Sequence, residues 1–127
     1  MREYVKIFES EKRKICIDKE NYSRFADAFE SDEKLKIKFR QRADAILRGF
    51  IKKDIYEKVK GYKTIWEIKL FKQSKGRNYR FYCKQIETKE KTVYIIVVDL
   101  FKKQSQDIPK HIKKKLKKID QYEYKTQ

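Results

Sequence analysis

Apolar positions along this chain recur with two periods, and the switches between them divide it into elements. Residues 4–8 and 13–17 alternate, pairing Val5 with Ile7 and Ile15 with Ile17, with a polar stretch at 9–12 between them. A two-residue period predicts an edge strand or a hairpin here. Asp18 or Asn21 is placed to cap a short helix running to about residue 30, with Phe25 and Phe29 one turn apart. Ser31-Asp32-Glu33 reads as a fresh helix start, a capping hydroxyl followed by first-turn acids. Leu35, Phe39, Ala43, Ile46 and Phe50 then form one apolar stripe at spacings of four, four, three and four. Core packing is the ordinary use of such a stripe. Ile55 and Val59 extend it, so the helix is expected to continue toward Gly61.

After Gly61 the period changes to two. Trp66, Ile68 and Leu70 alternate with Glu67, Lys69 and Phe71; then Tyr79, Phe81 and Cys83 alternate with Asn78, Arg80, Tyr82 and Lys84. A third run, 92–101, is almost continuously apolar, as in a strand covered on both sides, and ends in Lys102-Lys103. If these strands are neighbours, Glu67, Lys69, Arg80, Tyr82 and the Lys102–Lys103 pair converge on one surface. Asp107-Ile108-Pro109 supplies a capping acid and a helix-compatible proline before Ile112, Leu116 and Ile119, a narrow stripe inside a lysine-rich segment. Strand or hairpin, two helices, three strands and a helix predict an α+β domain: a small, mainly antiparallel sheet with helices on one face. No repeat or linker interrupts it, so residues 1–127 are expected to form one domain.

Composition changes the picture chiefly through charge. Lys and Arg number 35 against 19 Asp and Glu, a formal net charge of +16 on 127 residues. Such an excess favours a polyanionic partner through phosphate contacts and counterion release, and surface decoration by lysine is the plain alternative. The lysine-rich helix, with Lys114 and Lys117 among its cations, is either a solvated face or an electrostatic arm for nucleic acid. The longest uninterrupted apolar run, 93–98, is far short of the ~20 residues that span a bilayer. No apolar leader follows Met1, and a cytoplasmic location with no membrane partner is expected. Cys16 and Cys83 are too few for a disulfide framework; Cys83 reads as a small buried hydrophobe. The single histidine, His111, reads as a surface residue, and no metal site or cofactor is expected.

From the Leu35 helix onward, about two-thirds of the chain, the pieces resemble the RelE/ParE superfamily of bacterial toxins, in particular its HigB-like, phage-associated branch. The resemblance rests on an ordered series. An amphipathic helix pair leads to Gly61-Tyr62, Trp66-Glu67-Ile68-Lys69 and Tyr79-Arg80-Phe81-Tyr82; Phe101-Lys102-Lys103-Gln104 and Gln106-Asp107-Ile108-Pro109 follow. It implies a RelE-like fold and the toxin of a type II toxin–antitoxin pair, a metal-independent endoribonuclease that inhibits translation by cleaving mRNA on the ribosome. The 2′-hydroxyl attacks the adjacent phosphate, leaving a cyclic phosphate and a 5′-hydroxyl, which calls for cations around the reacting phosphate and groups that move two protons.

Carried onto this sequence, Arg80 matches the arginine of the family's strand motif and would hold the scissile phosphate. Lys69 matches a basic position on the preceding strand, and Lys102 and Lys103 the basic pair after the last one. Glu67 departs from the lysine of RelE itself, and two roles stand open for it: general base, or ion-pair partner of Arg80 or Lys69. Tyr82 either contacts phosphate or a base, or packs; Arg77 would hold backbone phosphate. The implied partners are a cognate antitoxin, which adds a strand or lays a helix over the sheet, and mRNA on the ribosome. Two other functions compete: a ParE-like poison of DNA gyrase that cleaves nothing, and a non-catalytic cationic nucleic-acid-binding protein.

Overall fold

The computed structural model describes residues 1–70, 79–102 and 108–126. Its strands are β1 (Tyr4–Glu9), β2 (Arg13–Asp18), β3 (Tyr56–Lys58), β4 (Ile65–Lys69), β5 (Tyr79–Glu87) and β6 (Val93–Lys102). They form one mixed sheet in the order β1-β2-β6-β5-β4-β3. Every neighbouring pair is antiparallel except β2 and β6, which run parallel, Ile15 opposite Ile95 and Ile17 opposite Val97. The helices are α1 (Tyr22–Ser31), α2 (Glu33–Leu47) and α3 (Lys110–Asp120). The architecture is therefore α+β, as the element order predicts, with a mixed rather than wholly antiparallel sheet. The expected N-terminal hairpin forms as β1–β2, with β1 at the edge and β2 in the interior.

The helices do not all pack on one face, contrary to the sequence expectation. Phe25, Leu35, Phe39, Ala43 and Ile46 of α1 and α2 close over Ile15, Ile17, Ile68, Phe81, Cys83, Ile95 and Val97. On the reverse face, Ile112, Leu116 and Ile119 of α3 close over Cys16, Ile65, Tyr82, Tyr94, Ile96 and Val98. The reason lies in β2 and β6, whose successive side chains are buried on both sides, so each face needs its own apolar cover. Burial, joined by the Glu67 carboxylate, drives the Cys83 thiol above its ordinary range, and burial, against the opposing pull of Lys14 and Lys6, pushes Cys16 up to about 12.

Two boundaries also differ. Asp32, not Ser31, caps α2, its carboxylate accepting from the Leu35 N–H at 3.1 Å; Ser31 is the last residue of α1. The stripe from Leu35 stops at Leu47, with Gly49 at φ +90° beyond the cap and Phe50 left exposed. Ile55 and Val59 flank β3 instead of extending the helix. A spacing of four fits two strand periods as well as one helical turn, which is why the pattern does not separate them. The capping role expected of Asp107 lies outside the described residues.

Buried charge fastens the ends of the chain. Asp18 is fully buried and accepts from Arg2 Nε at 2.8 Å, Arg2 Nη2 at 3.1 Å, the Glu20 N–H at 2.9 Å and the Tyr124 hydroxyl. Burial, joined by the Asp18 carboxylate, raises the Tyr124 phenol well above its usual range. At the far end of α3, the Asp120 carboxylate accepts from the Lys63 and Thr64 N–H groups, each at 2.9 Å, and from Thr64 Oγ1 at 2.5 Å. Burial alone would raise the Asp120 carboxyl, but these donors outweigh it and hold it below the ordinary carboxylate range.

Asp18→Ala removes the acceptor of the buried Tyr124 hydroxyl and leaves Arg2 only the exposed Glu20 carboxylate; a loss of about 3 kcal/mol in urea unfolding is expected. For Asp120 the folded pKa is depressed, so its contribution is present above the unfolded carboxylate value near ~3.9 and is lost as pH falls through the folded one. Asp120→Asn is therefore expected to be less stable than the wild type at neutral pH, with the gap closing in strong acid. Urea melts of both proteins across pH 2–7 measure it.

Candidate functional site

The antiparallel register of β4 and β5 sets Glu67 opposite Tyr82 and Lys69 opposite Arg80. Alternation points all four side chains to the face that α3 covers. Across β3 and β4, Glu57 lies opposite Glu67 and adds a second carboxylate. Lys69 Nζ is 2.9 Å from Glu57 Oε1 and 3.8 Å from Glu67 Oε1, and Arg80 Nε is 3.7 Å from that same Glu67 oxygen. One carboxylate oxygen thus stands between two cations. Arg80 Nη1 also donates to its neighbour's carbonyl, Tyr79 O, at 3.2 Å. From α2, Arg42 Nε donates to the Lys69 carbonyl at 3.0 Å, which holds the end of β4 in place.

This cluster is shielded from water. Arg80 is 6% exposed, and burial lowers its guanidinium from the usual value, with Glu67 and then Tyr82 acting in the opposite sense. Tyr82 is 1% exposed within the apolar layer beneath α3, and its hydroxyl has no hydrogen-bond partner among the described residues. Burial, then the Glu67 carboxylate, pushes that phenol well up. Its ring packs; it offers no open face to a base.

The remaining sequence-predicted residues are spread more widely. Lys102 does not join the cluster: Phe101, opposite Arg80, faces α3, so Lys102 falls on the other face, with Nζ 6.0 Å from the Tyr79 ring centroid. The two-residue period forbids both members of a sequential pair from sharing a face. Lys114 and Lys117 are exposed on α3, away from its Ile112–Leu116–Ile119 seam. Arg77 and Lys103 lie outside the described residues. Sequence reasoning missed Glu57, because the segment holding it read as helix. It also set His111 aside; the His111 ring meets that of Phe101, the β6 residue opposite Arg80, edge-on at 6.3 Å.

The arrangement contains two carboxylates, an ammonium and a guanidinium on three adjacent strands, β3, β4 and β5, with cations fixed before any anion arrives. Among the described residues no group of three or more His, Cys, Asp or Glu is placed to hold a metal ion. The shared oxygen predicts strong coupling between Glu67 and Arg80. A double-mutant cycle with Glu67→Gln and Arg80→Leu, read by urea unfolding, is expected to give an interaction of about 1–3 kcal/mol. Near-additive effects would show that the 3.7 Å contact carries no energy. In comparisons with known proteins, no family model, curated protein or solved structure matches the chain.

Proposed function

We propose that this chain is a cationic toxin of a toxin–antitoxin pair that cleaves mRNA by attack of a 2′-hydroxyl on the adjacent phosphate. The observation that carries the proposal is the β4–β5 register, which gathers Glu67, Lys69 and Arg80 on one face with a carboxylate oxygen within 4 Å of both cations. In this reading Glu67 takes the proton of the attacking hydroxyl, and the Arg80 fork and Lys69 hold the phosphate as its charge grows. Glu57 keeps the Lys69 ammonium oriented while the phosphate is absent. His111, beside Phe101, is the group suited to returning a proton to the departing 5′-oxygen. The net charge of +16 brings the polyanion in, and an acidic antitoxin would be the complementary cover. A RelE-like, HigB-like lineage and action on the translating ribosome belong to the same proposal, supported by the ordered motifs from Trp66 to Pro109.

The burial of Arg80 favours a second reading. A guanidinium this enclosed serves a sheet as an internal partner of Glu67, leaving the exposed lysines to bind nucleic acid without cleaving it.

Induced expression of the wild type, Arg80→Ala and Arg80→Lys separates the two, with 5′-end mapping on a translated and an untranslated copy of one transcript. The proposal expects cuts in the translated copy, reduced about 10²–10³-fold by Arg80→Ala and incompletely restored by Arg80→Lys, which keeps the charge and loses the planar fork. Undiminished cutting by Arg80→Ala would sink the assignment. Intact transcripts with arrested growth would turn the search to DNA gyrase, and intact transcripts without arrest would establish the binding-only reading.

A further inference from the structure

A cationic cleft is lined by residues of both α1 and α3, the helices that cover opposite faces of the sheet. About 280 Å³ in volume, it opens above the bulge where β6 places both Val98 and Asp99 against Tyr82 of β5. Arg24 of α1 and Lys115 and Lys118 of α3 line it, together with Asn21, Asp99 and Tyr122. Three cations against one carboxylate leave the cleft with a formal charge of +2, concentrated by two helices of different sequence origin.

The floor of the cleft is fixed. Asp99 accepts from the Arg24 guanidinium and, at 2.8 Å, from the Leu100 N–H, while its other oxygen is 3.9 Å from Lys115 Nζ. The Asn21 side chain, instead of capping α1, donates to the Val98 carbonyl at 2.8 Å and ties the start of that helix to β6. Arg24 and Lys115 remain about half exposed, so both present charge to solvent while anchored at the base. Lys118 has no ion-pair partner among the described residues. Tyr122 is held by the Arg2 guanidinium, 3.9 Å from its ring centroid, and Arg2 is itself locked to Asp18.

From this geometry we infer that the cleft is a phosphate-binding site for single-stranded RNA, distinct from the Glu67–Lys69–Arg80 cluster. Arg24, Lys115 and Lys118 take a backbone phosphate, and the Tyr122 ring takes the adjoining base. An immobilised aromatic ring among cations is the combination that single strands use, whereas a free phosphate needs only the cations. The cleft lies at the low end of the size of small-molecule pockets, enough for one nucleotide of a longer strand. The inference rests on the proposed RNA partner for the identity of the strand, and it is independent of cleavage.

The test measures binding of a labelled 2′-O-methyl RNA, which cannot attack its own phosphate, as a function of salt. Lys115→Gln/Lys118→Gln is compared with Lys12→Gln/Lys89→Gln, a pair of exposed lysines at the opposite end of the sheet that removes the same charge. Each phosphate neutralised on a single strand contributes about 0.7 to the slope of log affinity against log salt, so the cleft variant, losing the one phosphate held there, is expected to lose about 0.7 and the control almost nothing. Tyr122→Leu is expected to weaken binding without changing that slope. Equal losses in both lysine pairs, with the wild type binding RNA, would overturn the cleft while leaving the RNA reading intact. A wild type that binds no RNA would overturn both. Displacement of the RNA by inorganic phosphate, with Tyr122→Leu binding the RNA as tightly as the wild type does, would overturn the strand assignment in favour of a free phosphate.

Discussion

Two adjacent strands buried on both sides impose the constraint that shapes this protein. β2 and β6 run parallel in the interior of the sheet, and their side chains from Ile15 to Ile17 and Tyr94 to Val98 are almost wholly removed from water. A sheet with such a centre has no solvated face available, so apolar cover is required above and below. α1 and α2 provide it on one side with an aromatic layer in which Phe25, Phe29 and Phe39 surround Phe81. On the other side α3 supplies only three buried residues, and the layer is completed by tyrosines, with Tyr4 edge-on to both Tyr94 and Tyr124. The Asp18–Arg2–Tyr124 contacts matter because they fix the tail that completes this thinner layer.

Charge is sorted by the same constraint. The large positive excess sits on exposed lysines, whereas charged groups drawn toward the core have neutralising partners or helix-end carbonyls. Lys84, largely buried, donates to the Asp120 carbonyl at 2.7 Å at the negative end of α3, where a cation is favoured. Glu57, Glu67, Lys69 and Arg80 balance two against two. The division has a functional consequence. Attraction of a polyanion is a property of the outer surface, spread over many residues and sensitive to salt, while chemistry on a single phosphate would depend on the compact, charge-balanced cluster.

The legible part of the sheet and the site followed from alternation. Trp66–Leu70 and Tyr79–Cys83 each divide into two faces, and once the strands are adjacent, the charged faces must coincide; hence Glu67, Lys69, Arg80 and Tyr82 were found together. The same rule shows why Lys102 stands apart from Arg80, although a shared position at the strand end made the pair with Lys103 look like one feature. Glu57 is not legible as a strand residue because Ile55 and Val59 satisfy helical and strand spacing alike, and β3, at three residues, is too short to break the tie.

What the sequence by itself determined is local: where the period is two or near 3.6, which side chains share a face, and how much positive charge the surface must carry. These follow from the geometry of a single strand or helix and need no partner. The tertiary structure alone decided that β2 pairs parallel with β6, that α3 crosses to the face opposite α1 and α2, and that Tyr82 is enclosed rather than offered to a ligand. It also decided that Arg24 of α1 meets Lys115 and Lys118 of α3 over Asp99. Each of these joins segments far apart in the chain, and is set by which apolar surfaces must be buried against each other, a competition that no local period records.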